Sequence, residues 1–142
     1  MAPEFALADQ NGEEHSLSMY KERYILIYFY PKDDTAGCTK EACAIKEAYA
    51  DFESNGVKVF GVSADSVESH KKFAEKYELP FSLLSDPGKK AIKAYEAGSL
   101  LGTKRISYLI EPGGLIVKTY PHVDPAHHGE EILKDILNLK KP

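Results

Sequence analysis

Apolar and β-branched residues gather into short runs at Tyr24 to Tyr30, Val57 to Ser63, Ile106 to Glu111 and Leu115 to Tyr120, each about the length of a buried strand. Pro112-Gly113-Gly114 separates the last two runs, a turn signal that predicts an antiparallel hairpin. Elsewhere the apolar positions recur at helical spacing. Thr39 to Phe52 carries Ala42, Ile45, Ala48, Tyr49 and Phe52 on one stripe, and His127 to Leu139 carries Ile132, Leu133, Ile136, Leu137 and Leu139. Two further helices are predicted over Ser66 to Tyr77 and Gly88 to Tyr95, the second with Asp86 as N-cap and Pro87 at its first position. A β-α-β-α order closed by a hairpin and a final helix predicts an α/β fold with a mixed central β-sheet flanked by helices. No repeat, low-complexity segment or linker divides the 142 residues, so residues 1–142 are expected to form one domain.

Composition narrows the function. The formal net charge is -4, without a run of like charges, which offers nothing to nucleic acid or an anionic membrane. No apolar stretch approaches the ~20 residues of a membrane span. Pro3, Glu4 and Asp9 soon follow Met1, where a secretory signal would carry a basic and then an apolar segment, so no signal is expected and the cytosol is the default compartment. No glycine-rich phosphate loop is present, and the nine Tyr and six Phe read as core packing. Neither the two cysteines nor His15, His70, His122, His127 and His128 have the spacing of a zinc site, so neither metal nor cofactor is expected; His127-His128 reads as a helix start.

The chemistry concentrates in Tyr30-Pro31-Lys32-Asp33-Asp34-Thr35-Ala36-Gly37-Cys38-Thr39-Lys40-Glu41-Ala42-Cys43, directly after the first strand. Cys38 and Cys43 are the only cysteines. A strand, a loop and then a helix place Cys38 near a helix N-terminus, where free N–H groups and the macrodipole favour a thiolate. A reducing cytosol does not keep a disulfide as a lasting staple, which argues for a catalytic or sensing pair. Free cysteine is also often a small buried hydrophobe, but Thr, Lys, Glu and Gly are poor company for a core Cys38, whereas Cys43 lies among Ala42, Ala44 and Ile45. Five residues of ideal helix separate the two Cα atoms by roughly 8.5 Å, beyond the ~7 Å limit of a disulfide. If the two ever join, the helix must unwind.

The run Pro31-x-x-x-Thr35-x-x-Cys38 resembles the active-site signature of the peroxiredoxins, and Phe29 to Cys43 resembles the bacterioferritin comigratory protein (peroxiredoxin Q) subfamily in particular. Ala2-Pro3-Glu4-Phe5, Gly61 to Ser66, Leu79 to Asp86 and Arg105 to Ile110 are similar to further family landmarks in family order, so the resemblance spans essentially the whole chain. Ala36 stands where Pro is common, Glu96 where Gly is usual, and the short leader that commonly precedes Ala-Pro is missing.

The resemblance implies a thioredoxin-like fold and a thiol-dependent peroxidase of the atypical two-cysteine kind. Cys38 would be peroxidatic and Cys43 resolving, through an intramolecular disulfide. Hydrogen peroxide and small organic hydroperoxides would be substrates, and a thioredoxin or glutaredoxin-like dithiol protein the reductant, with an antioxidant role. Arg105 aligns with the active-site arginine; by position alone a solvated strand-end residue is the favoured reading. Thr35 would aim a hydroxyl at the peroxide, or cap the helix or hold the turn, Pro31 would shield the thiolate or merely end the strand, and Glu41 resembles the carboxylate that orients the arginine, or is a first-turn acid. A monomer is expected, with a weak dimer as the alternative. The rivals are a thiol-disulfide oxidoreductase, which a C-x-x-C pair would mark, and a thioredoxin-like binding or chaperone module with inert cysteines.

Overall fold

The computed structural model describes residues 1–99 and 102–139. The apolar runs at the centre of the chain become the centre of the sheet. β1 (Ala6–Ala8) and β2 (Glu14–Ser16) form a hairpin, followed by a 3-10 turn over Leu17–Tyr20. β3 (Tyr24–Phe29) leads into α1 (Ala36–Ser54), β4 (Val57–Ser63) into α2 (Val67–Tyr77), and β5 (Ser82–Ser85) into the short α3 (Lys90–Ala94). A small ribbon, β6 (Gly98–Ser99) with β7 (Gly102–Thr103), precedes β8 (Ile106–Ile110), β9 (Ile116–Tyr120) and α4 (His128–Leu139).

Seven strands pair in the order β2-β1-β5-β4-β3-β8-β9. β3, β4 and β5 are parallel, while β8 runs antiparallel beside β3 and β9 antiparallel beside β8, giving the expected mixed sheet. Two apolar layers cover its faces. One joins Leu26, Tyr28 and Leu109 to the stripe of α1 and to Ile132 and Ile136 of α4, and the other joins Ile25, Ile27, Phe29, Phe60 and Ile110 to Ile92 and Phe5. β3 therefore supplies alternate side chains to both layers, and its residues from Ile25 to Phe29 are fully enclosed.

The sequence expectations fail at several ends. β1, β2, β5 and the β6–β7 ribbon were too short or too polar to read as apolar runs. The third helix starts at Lys90 after Lys89 at φ 58°, so Pro87 is not its first residue. Asp86 still serves it, accepting from the N–H groups of Lys90 (3.0 Å) and Ile92 (2.8 Å). Leu137 and Leu139 are exposed, because the buried face of α4 follows His128, Ile132 and Ile136 at four-residue spacing. Ser66 does cap α2, accepting from Ser69 N–H at 3.1 Å.

Candidate active site

α1 begins at Ala36, three residues earlier than its apolar stripe suggests, which makes Cys38 the third residue of the helix. Ala36 is thus the first helical residue, the position where proline is also well tolerated. Cys38 is buried (1 % exposed), against the expectation drawn from its polar neighbours: Lys40 is exposed, but Glu41 is enclosed alongside it, and Cys38 belongs to the buried cluster of Tyr28 and Tyr30 beneath α1. Cys43 is partly exposed one turn further on, and both thiols are free.

Arg105, just before β8, reaches the start of α1. Its Nη2 donates to Cys38 Sγ at 3.4 Å and its Nη1 to Glu41 Oε1 at 2.8 Å. Burial works against the charge of Arg105, but its bonds to Cys38 and Glu41 outweigh this and raise its pKa. Glu41 is completely buried, and its Oε2 has no hydrogen-bond partner. Burial pushes its carboxyl up to about 7, with the Arg105 guanidinium pulling the other way. The guanidinium lies against Gly37, where a Cβ would stand 2.9 Å from Arg105 Nη2.

The loop between β3 and α1 is held from the side of α2. Asp33 is buried and accepts from Tyr30 Oη (2.6 Å) and Ser69 Oγ (2.8 Å), with His70 Nδ1 at 2.7 Å. Its N–H donates to Asp65 Oδ2 at 2.8 Å. Asp34 adopts φ 57° and accepts from Lys76 Nζ and Tyr77 Oη, each at 2.8 Å. Thr35 is the N-cap residue by position, but its hydroxyl makes no capping bond and instead donates to the Lys32 carbonyl at 2.9 Å. Pro31 is exposed at the start of the loop.

Of the six residues singled out from sequence, Cys38, Glu41 and Arg105 are therefore in direct contact through the guanidinium. Thr35 and Pro31 line the loop leading to them, and Cys43 lies on the same helix. Sequence reasoning missed the Asp33 and His70 anchor. The one available signal was a histidine at a core position of α2, in register with Phe73, Ala74 and Tyr77. It also missed Ser107 and His128, which are buried and join β8 to α4 through a 2.7 Å contact between Ser107 Oγ and His128 Nε2. Among the described residues, two groups could bring three metal-ligating atoms together, Asp9–Glu13–His15 and Asp33–Asp65–His70. Neither contains a cysteine, and the Asp33 group already spends its atoms on the loop.

A half-buried arginine that bridges a helix-terminal sulfur and a buried carboxylate suits a thiolate nucleophile acting beside a leaving oxyanion. The AhpC/TSA family profile matches residues 1–119. The chain belongs to this family. It is 45% identical over 142 residues to the chloroplastic peroxiredoxin Q of Sedum lineare, covering 97% of this chain and 76% of that one. The Oryza sativa subsp. japonica peroxiredoxin Q, also chloroplastic, is 43% identical over 97% of this chain and 65% of its own length. The chain thus spans about two thirds to three quarters of these relatives. The solved bacterioferritin comigratory protein of Xanthomonas campestris superposes with a TM-score of 0.93 at 30% identity, over 96% of this chain and 92% of that one. Peroxidoxin BcpB from Mycobacterium tuberculosis gives 0.91 at 26% identity over 99% and 96%. The fold is thus the thioredoxin-like fold of the peroxiredoxins, and the enzyme class is thiol peroxidase.

Proposed function

We propose that this peroxiredoxin reduces hydrogen peroxide and small organic hydroperoxides with Cys38 as peroxidatic and Cys43 as resolving cysteine. The observation that carries the reading is the Arg105 guanidinium, bonded at once to Cys38 Sγ and to the enclosed Glu41. The Cys38 thiolate attacks one peroxide oxygen, the O–O bond breaks, and a sulfenic acid forms while the departing alkoxide or hydroxide takes up a proton. Arg105 faces both the initial anion and the charge that grows on the departing oxygen. Thr35 can turn its hydroxyl from Lys32 toward the bound peroxide, and Pro31 screens the loop side of the sulfur.

In the second half-reaction the Cys43 thiol attacks the sulfenic sulfur, an S–S bond replaces the S–O bond, and water leaves. A thioredoxin or glutaredoxin-like dithiol protein then reduces the disulfide by exchange. Support for organic substrates comes from the Xanthomonas campestris relative, whose solved structures concern alkyl peroxide reduction. The cycle suits an antioxidant monomer in a reducing compartment such as the cytosol.

The test is peroxide consumption coupled to a thioredoxin system. Cys38→Ser abolishes turnover, since a protonated serine hydroxyl is a poor nucleophile at neutral pH. Cys43→Ser still reduces one equivalent of peroxide and accumulates a sulfenic acid that dimedone traps. Normal cycling of Cys43→Ser without adduct would remove Cys43 from the scheme, and normal cycling of Cys38→Ser would overturn the whole reading.

A further inference from the structure

Gly37 is the second residue of α1, in a helical conformation that any residue can adopt. Helix propensity alone favours alanine there. What argues against a side chain is the occupant of the space beside it. A Cβ on residue 37 would lie 2.9 Å from Arg105 Nη2 and 3.5 Å from its Cζ. Nη2 is the same nitrogen that donates to Cys38 Sγ.

The end of an arginine side chain usually gives way to such a contact at little cost. Here both ends of the fork are engaged, one on the sulfur and one on Glu41 Oε1. Glu41 is fully enclosed and its second oxygen meets no donor, so losing Arg105 would leave a buried carboxylate with no partner at all. The bond to Glu41 therefore holds, and the longer contact to sulfur is the one that yields. We propose that Gly37 is a positioning residue: the missing side chain at the second residue of α1 is the seat of the Arg105 guanidinium and sets its Nη2 on the Cys38 sulfur. The inference rests on the assignment of Cys38 as nucleophile and Arg105 as its activating cation, and it adds a requirement that neither of those residues expresses.

Four proteins test it: wild type, Gly37→Ala, Arg105→Ala and the double variant. Each is read by the rate of Cys38 oxidation in a single turnover with hydrogen peroxide, the pH profile of Cys38 alkylation, and the urea midpoint. Gly37→Ala is expected to slow oxidation at least about tenfold, part of the 10²- to 10³-fold typical for loss of an oxyanion donor. Its alkylation profile moves to higher pH, while its urea midpoint stays the same or rises. In the Arg105→Ala background the same substitution changes neither rate nor profile, because the group it displaces is already gone.

Equal slowing by Gly37→Ala in both backgrounds would show that the glycine acts on the loop and not through Arg105, and would overturn the proposal. So would a lowered urea midpoint accompanying the slower rate, or a wild-type rate in Gly37→Ala where Arg105→Ala is slow. A wild-type rate in Arg105→Ala would instead strike at the assignment of Arg105 itself.

Discussion

Glu41 keeps one carboxyl oxygen on Arg105 and the other in an enclosed space without a donor. Burial raises its pKa from 4.5 to about 7, with Arg105 opposing. The sign of the stability effect follows from proton counting. Between these two values the folded protein holds a proton that the unfolded chain has released, so stability falls as pH rises through this window and levels off above it. The integrated loss is on the order of 3 kcal/mol. Glu41→Gln keeps an acceptor for Arg105 Nη1 but cannot ionise. Urea unfolding from pH 4.5 to above 7 is therefore expected to show a declining stability in the wild type that is largely absent from the variant. A parallel decline in both proteins would trace it to other groups. Glu41 was legible in the sequence as an acid one turn after Cys38. Its enclosure was not, because burial depends on α1 lying over Tyr28 and Leu109, which no local pattern contains.

α3 ends in a turn that sequence comparison marked and only the backbone explains. Glu96 N–H donates to Lys93 O and Ala97 N–H to Ile92 O, the paired bonds of a Schellman cap, and Glu96 sits at φ 57°. Its place is the one where glycine is favoured, so Glu96→Gly is expected to stabilise the protein by up to about 1 kcal/mol, read as a higher urea midpoint at unchanged slope. α1 carries the larger consequence. The helix is continuous from Ala36 to Ser54, with both cysteines in it, so joining them requires its opening turns to melt. Amides of residues 39–43 are expected to exchange slowly in the reduced protein and fast in the disulfide form, while those of β4 stay protected. Slow exchange across that segment in a protein whose disulfide is verified would refute the unwinding step. The long elements β3, β4, α1 and α2 were legible because each has more than two periods of its pattern. The edge hairpin β1–β2 and the three-residue shift in the start of α1 were not, since three-residue strands and first-turn polar residues carry no periodic signal.

Across the molecule, α1 and α4 cover one face of the sheet together, and at Gly129 they meet backbone to backbone. A Cβ on Gly129 would stand 2.5 Å from Ala44 O and 2.9 Å from its carbonyl carbon, neither of which can swing aside. Gly129→Ala must push α4 off the sheet, with an expected loss of about 1–3 kcal/mol in urea unfolding. An unchanged midpoint would mean that the two helices are not docked this closely. The same contact lies immediately beyond Cys43, and Lys46 Nζ donates to Tyr77 O at 2.8 Å one turn later. These ties fix α1 beyond Cys43 to α4 and α2, while the turn before it is held instead by Arg105, through Cys38 and Glu41. The pairing of β8 with β9 follows from the Pro112-Gly113-Gly114 hairpin, but which of the two lies beside β3, and with it the placement of Arg105 over Cys38, could be anticipated only through family resemblance.

In the proposed cycle, because α1 runs unbroken past Cys43, a sulfenic acid formed on Cys38 would have to wait before Cys43 could reach it. That wait makes the helix a clock. A second peroxide arriving before the first turns open carries the sulfur on to sulfinic acid and ends the cycle. How often these turns open, set against how often peroxide arrives, fixes the concentration at which the enzyme begins to disable itself. A residue in the first turn that holds the helix shut for longer would lower that threshold, so the most stable form of this protein would not be the most durable one.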